Sequence, residues 1–281
     1  MWVFFPAMTS PKKRNAIGFP PPLLGESAFR LPIAANAKDW IALEKPAGVG
    51  IRSHPWDRTP DLDKALNRQL AEDKPELRAT DADLFASIYY LEPEASGVAL
   101  FAKGRDSLDR LRNACGSHLM RFRFLFVAAR AGAPAAERLS SEAPLLPHYS
   151  KNKMIPSTAK GKKALTDFRR LADASTGWTL WEATSRYCRI HQVRAHAALL
   201  GIPIVGDLCY AGPAVPTLQE LLPKKRGSAL SAPAFKGMAM HLLEVEIPSF
   251  EDVAGCVVRS EPPKDFLVLL KRLDLADAGI E

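Results

Sequence analysis

No apolar run in this chain approaches the roughly 18 consecutive residues that a membrane-spanning helix needs, so a soluble protein with no membrane partner is expected. Cysteine is scarce. The four present (Cys115, Cys188, Cys209 and Cys256) are scattered without a C-x-x-C pair, which indicates neither a zinc site nor a disulfide framework and suits a reducing cytoplasm. His191 and His196 are five apart, not the four that places two ligands on one helix face, so no metal is expected there. A secretory signal is missing as well: MWVFFPAM is apolar but short, no basic stretch precedes it, and Pro11, Lys12, Lys13 and Arg14 follow it. Acid does not balance base. The formal net charge of +7 suits a polyanionic partner such as nucleic acid, without requiring one.

What is present is ordinary globular material: 281 residues, 47% hydrophobic and 25% charged, enough for one large domain or two small ones with a real core. Residues 1–35 show no period, and Pro20 to Pro22 oppose a helix or central strand, so an extended N-terminal arm is expected, followed by one domain over 36–281. Asp39 to Ile51 reads as a strand running into a turn at Pro46 and Gly48. Leu62 to Asp73 has helical spacing. Ile88 to Lys103 reads as strand, turn and strand, with Pro93, Ser96 and Gly97 in the turn and Glu92 and Glu94 at the corner. Asp106 to Met120 is a helix with Asp106 or Ser107 as cap and Gly116 near its end. Strands follow at Arg121 to Ala129, Ala164 to Leu171 and Gly177 to Thr184. A helix runs from about His191 to Leu200, closed by Gly201 and Pro203. Pro213 to Gly237, with Lys224, Lys225 and Arg226, reads as a surface loop, and Gly237 to Ile247 as a strand. Pro262 to Leu275 reads as a helix with Phe266, Leu267, Leu270 and Leu273 inward.

Three features bear on chemistry. Lys151 to Arg170 holds seven cations (Lys151, Lys153, Lys160, Lys162, Lys163, Arg169 and Arg170) against Asp167 alone, so it reads as a phosphate-contacting segment or a solvated loop. Glu92 and Glu94 could act as a glycosidase pair, but two positions apart around a turn they need not face one site. His196 and His241 read as hydrogen-bonded structural histidines.

Two blocks carry a resemblance. Ser185 to Tyr210, SRYCRIHQVRAHAALLGIPIVGDLCY, is similar to the G-R-T-H-Q-I-R-x-H-x-x-x-x-G-x-P-I-x-G-D-x-x-Y block of RluA-type RNA pseudouridine synthases, with Arg189, His191, Gln192, Arg194, His196, Gly201, Pro203, Ile204, Gly206, Asp207 and Tyr210 in place. Ile88 to Lys103 resembles that family's H-R-L-D-x-x-T-S-G motif. Leu91, Ser96, Gly97, Ala102 and Lys103 match, while Glu92 falls on the catalytic aspartate, Tyr90 on the arginine, Tyr89 on the histidine and Ala95 on the threonine. Lys45, Pro46, Ala47 and Gly48 match an N-K-P-x-G turn, with Glu44 for the asparagine.

The resemblance spans roughly residues 38–275. It implies an α+β fold with a mainly antiparallel mixed sheet, flanked by helices, around a basic cleft. It also implies isomerisation of uridine to pseudouridine in rRNA or tRNA by a cytoplasmic monomer with no cofactor or metal. No small S4 RNA-binding domain is expected at the start.

The implied catalytic residues are Glu92 and Arg189, the arginine holding the carboxylate ionised. The implied substrate-binding residues are Tyr90, Phe124, Lys45, His191, Gln192 and Arg194. The family's K-x-Y-x-A-x-V strand carries a tyrosine that stacks under the uracil. Matching both ends puts Arg123 there, and a slip of one puts the aromatic Phe124 there, with a core role for Phe124 as the other reading. The departures at Glu92, Tyr90 and Phe124 leave a non-catalytic RNA-binding member of the family as the alternative function.

Overall fold

The computed structural model describes residues 15–57, 59–222, 228–250 and 254–276. The apolar start MWVFFPAM with Pro11 to Arg14, and the Lys224 to Arg226 cluster, lie outside them. In chain order the elements begin with β1 (Ala16–Phe19), β2 (Phe29–Asn36), β3 (Trp40–Lys45), α1 (Leu62–Ala71), α2 (Pro75–Arg78), β4 (Ala86–Ser87), β5 (Ser96–Ala102) and α3 (Arg105–Gly116). Next come β6 (Arg121–Ala129), β7 (Arg138–Ser141), β8 (Leu145–His148), β9 (Lys153–Pro156), β10 (Thr166–Asp173) and β11 (Trp178–Ser185). α4 (Gln192–Leu199), α5 (Leu218–Leu221), β12 (Met240–Ile247), β13 (Cys256–Arg259) and α6 (Lys264–Arg272) complete the described chain. Among the described residues, no helix is long and apolar enough to cross a membrane, and no group of three or more His, Cys, Asp or Glu could hold a metal ion.

The chain divides into two compact units whose segments alternate in sequence. One is built from the chain up to Phe122 with 186–190 and 242–261; the other takes 123–185, 191–241 and 262 onward. In the first unit the sheet order is β1-β2-β3-β5-β12, with β4 also on β5 and β13 on β12. β1 with β2, β2 with β3, β3 with β5 and β12 with β13 are all antiparallel. β5 is buried at every residue, as its unbroken apolar run requires of a strand with neighbours on both edges. In the second unit β6, β11, β10 and β7 lie in that order, and β8 and β9 form a separate antiparallel pair. α6 lays Phe266, Leu269, Leu270 and Leu273 into this unit's core.

Several expectations are corrected. Residues 15–36 are no extended arm: β1 and β2 form a hairpin that joins β3, burying Ile17, Phe19 and Leu31, and Pro20 to Pro22 occupy its turn, where no ladder N–H is missed. Ile88 to Leu91 is not a strand. Only Ala86 and Ser87 pair with β5, and after the Ile88 N–H donates to the Leu100 carbonyl (3.1 Å) the chain leaves the ladder. The Tyr89 hydroxyl donates to the Val98 carbonyl (2.7 Å) in place of a ladder bond. α3 starts after Gly104 without a side-chain cap, and the Ser107 hydroxyl donates back to the Gly104 carbonyl. On α6, Leu267 faces outward at 46% exposure while Leu269 faces in, because 266, 269, 270 and 273 share the buried stripe.

Gly97 shows how tightly β5 is fitted. Its φ is +134°, and a Cβ there would lie 2.3 Å from the Leu242 carbonyl oxygen, a backbone atom that cannot step aside. Gly97→Ala should therefore destabilise the protein by about 3 kcal/mol or more, from backbone strain and overpacking together. Urea denaturation checks this; a loss below about 1 kcal/mol would contradict the geometry.

Candidate active site

In the first unit, Lys45 ends β3 and is 2% exposed. Its ammonium donates to the carbonyls of Pro46 (3.0 Å), Pro93 (3.2 Å) and Ala95 (2.5 Å), and the Gly48 N–H also donates to Pro93 (2.7 Å). A buried charge is tolerable only with such partners, and three acceptors match its three N–H groups. Burial pushes the Lys45 amine down to about 7, against the opposing pull of the Glu92, Glu94 and Asp57 carboxylates. The turn so clamped carries Glu92, 6% exposed, and closes with the Ala95 N–H on the Glu92 carbonyl (3.1 Å). Glu94 in the same turn is exposed. One carboxylate faces the interior and the other the solvent, so they do not form a converging pair.

Tyr90, 5% exposed, is pinned by the loop after β3. Its hydroxyl donates to the Asp57 carboxylate, and its ring lies 5.3 Å from that of His54, which in turn meets Trp56 edge-on at 4.9 Å. Burial, then the Asp57 bond, pushes the phenol far above its ordinary range. The Cys188 thiol donates to the Tyr90 carbonyl (3.8 Å), laying 186–190 and with it Arg189 alongside the Tyr90–Glu92 segment. The Tyr187 and His118 rings, 4.0 Å apart, hold the same segment near the end of α3. Burial raises the Cys188 thiol strongly; Cys115 and then Glu92 add to this, and the Arg52 charge opposes it.

Sequence reasoning missed Arg52, His54 and Asp57. The only signal was R-S-H-P-W-D directly after the K-P-A-G turn, a mixture that also suits a solvated loop. What fixes the loop is hydrogen bonding to α1: the Leu62 and Asp63 N–H groups donate to the Gly50 and Ile51 carbonyls (both 2.9 Å).

In the second unit the expected RNA-facing residues are buried and bonded inward. Arg194 forms a two-pronged pair with Asp207 (2.7 Å to each oxygen), the two side chains 6% and 0% exposed. The Gln192 amide donates to Leu165 (2.9 Å), Thr166 (2.9 Å) and Ser185 (2.8 Å). His191 is not inside α4 but its N-cap, at φ +54°, with Nδ1 3.2 Å from the Tyr210 hydroxyl. These three side chains, like Lys45, build the framework. Phe124 is 7% exposed, on the face of β6 it shares with Phe126, in keeping with a core side chain. Arg123, on the other face, binds Glu182 (2.6 Å), which Arg169 also binds (3.2 Å). Burial alone would raise the Glu182 carboxyl, but the two guanidiniums reverse that and hold it below its ordinary value. Arg169 and Arg170 are thus engaged, Arg170 with Asp173 and the Ala135 carbonyl, while Lys151, Lys160, Lys162 and Lys163 are exposed. His196 is fully buried between Thr166 and the Ala143 carbonyl, both at 2.9 Å.

Asp207→Asn would leave Arg194 buried without its charge partner, and urea denaturation should register a loss of about 3–5 kcal/mol. Burial lowers the His196 pKa below its ordinary 6.5. The unfolded chain therefore takes up the proton more readily, so the stability from neutral His196 is complete above about pH 6.5 and declines as the pH falls toward the folded value. His196→Gln, which can keep both hydrogen bonds, should flatten the decline in melting temperature between about pH 7 and pH 5. Identical slopes in the two proteins would refute this.

No protein-family model matches the chain. Among curated proteins it is 26% identical over 203 residues to an uncharacterized RNA pseudouridine synthase of Chlorobaculum parvum, covering 71% of this chain and 61% of that one. It is 27% identical over 225 residues to ribosomal large subunit pseudouridine synthase D of Xanthomonas campestris, covering 79% and 62%. The chain thus spans about six tenths of the length of these relatives. Among solved structures, human RNA pseudouridylate synthase domain containing 4 superposes with a TM-score of 0.65 at 18% identity, covering 86% of this chain and 92% of that one. The corresponding domain-containing protein 1, also human, gives 0.57 at 19%, covering 83% and 84%. These two likenesses establish the fold. The chain is thus similar in sequence to curated RNA pseudouridine synthases and shares the fold of the two human proteins.

Proposed function

We propose that the protein isomerises uridine to pseudouridine in RNA, rRNA being the substrate class suggested by the relatives' names, with Glu92 as the active-site carboxylate and Arg189 as its guanidinium partner. The carrying observation is the placement of Glu92. It is a buried carboxylate on a turn clamped by Lys45, and the Arg189 segment is tied beside it through Cys188 and the Tyr90 carbonyl.

The reaction breaks the bond from uracil N1 to ribose C1′ and forms one from uracil C5 to C1′. N1 gains a proton, C5 loses one, and no co-reactant is consumed. Cleavage develops positive charge on the sugar, and a carboxylate beside it serves as nucleophile or base. Glu92 offers that group, and Arg189 would keep it ionised and aimed. The target base must leave its stack first. Tyr90 is held by Asp57 and His54, so its ring supports the turn instead of swinging into the space a flipped base vacates.

Pseudouridine mapping in rRNA and tRNA, from cells with and without the gene, tests the activity. At least one site should vanish with the gene and stay absent with Glu92→Gln. Glu92→Asp, shorter by one methylene or roughly 1.5 Å, should lower the rate on the order of 100-fold while RNA affinity holds. An unchanged map from a protein that still binds RNA would leave a binding protein without the reaction.

A further inference from the structure

Residues 144–164 carry Lys151, Lys153, Lys160, Lys162 and Lys163 and not one carboxylate. They fold into three adjacent ribbons: β8 pairs with β9, and on its other side Leu145 exchanges both backbone hydrogen bonds with Lys162 (2.9 Å each). At the tip between β8 and β9, Tyr149 is 70% exposed, and Asn152 turns the chain at φ +48°. Beside β9 lies a groove of about 370 Å³, walled by Met154 and Pro156, by Ala198 and Leu199 of α4, and by Leu208 and Tyr210. Leu208 stands 82% exposed and Leu199 49% exposed, while the Lys153 ammonium lies 5.7 Å from the centre of the Tyr210 ring. Single exposed leucines are common; two along one groove, bordered by a carboxylate-free lysine ribbon, form an apolar slot with cations at its mouth.

We propose that this groove takes an unpaired nucleobase of single-stranded RNA, with the adjoining phosphates on Lys151, Lys153 and the lysines of 160–163. The inference rests on the RNA reading above and locates a contact that reading does not. Flat apolar bases on a polyanionic backbone need this alternation of apolar wall and cation. The usual alternative at a strand edge, a peptide added as a further strand, is disfavoured because the Met154 N–H and C=O are both engaged by the Tyr210 hydroxyl (2.7 and 3.2 Å).

The test is binding of a labelled oligouridylate of about twelve nucleotides to the full chain, as wild type, Leu208→Asp and the double Lys151→Ala/Lys153→Ala. Leu208→Asp should weaken binding roughly 10-fold. The double alanine variant should bind less tightly, with a log–log salt slope shallower by about 0.7 for each phosphate no longer neutralised. Cys209, half-buried on the groove wall, supplies a local readout: the oligonucleotide should slow its alkylation in the wild type. Wild-type binding that neither variant weakens, or that leaves Cys209 unprotected, overturns the proposal and assigns the groove to a peptide or a second copy of the chain. A wild type that binds no RNA at all refutes the enzymatic reading as well.

Discussion

The Lys45 ammonium is the constraint on which the first unit's chemistry depends. Three carbonyls from two separate turns converge on it, and no uncharged side chain of that length could satisfy all three. One of those turns ends β3 and the other carries Glu92, so the lysine fixes the backbone of the turn that bears the carboxylate. Burial opposes the lysine's charge and the nearby carboxylates favour it, which leaves the amine near neutrality and the clamp sensitive to the groups around it. The Tyr90–Asp57 and Cys188–Tyr90 bonds then work on a turn already located.

In the second unit the same logic appears with a different result. Arg194 and Asp207, Gln192 with its three acceptors, and His196 between Thr166 and Ala143 are polar groups satisfied by one another in the interior. A polar residue at a recurring spacing looks the same in a sequence whether it touches a ligand or holds two loops together. The block from Ser185 to Tyr210 reads as functional, yet most of its charged and amide groups are scaffold.

That difference explains what was legible. Helices set by periodicity emerged readily from sequence, namely α1, α3 and α6, and so did the β10–β11 pair, whose strands run on to Asp173 and Ser185. The β1–β2 hairpin did not, since four residues of AIGF give too short a pattern and the prolines at its turn look like a break. Ile88 to Leu91 misled in the opposite direction: β-favouring residues were buried on every side by packing instead of by pairing. Of the proposed site, Glu92 and Arg189 are named by the family resemblance alone. Asp57 and His54 were not, because their partners lie more than thirty positions away and nothing local marks them.

The alternation of the two units along the chain bears on how the protein is made. Residues 186–190 belong to the first unit but leave the ribosome after the 123–185 segment of the second, and 242–261 follow later still. The first 122 residues therefore emerge without Arg189 and without the strand that lies against Gly97. Sequence-distant closures of this kind slow folding and leave strand edges open while synthesis continues. A chain stalled before residue 186 therefore carries the Glu92 turn without the segment that bonds to the Tyr90 carbonyl.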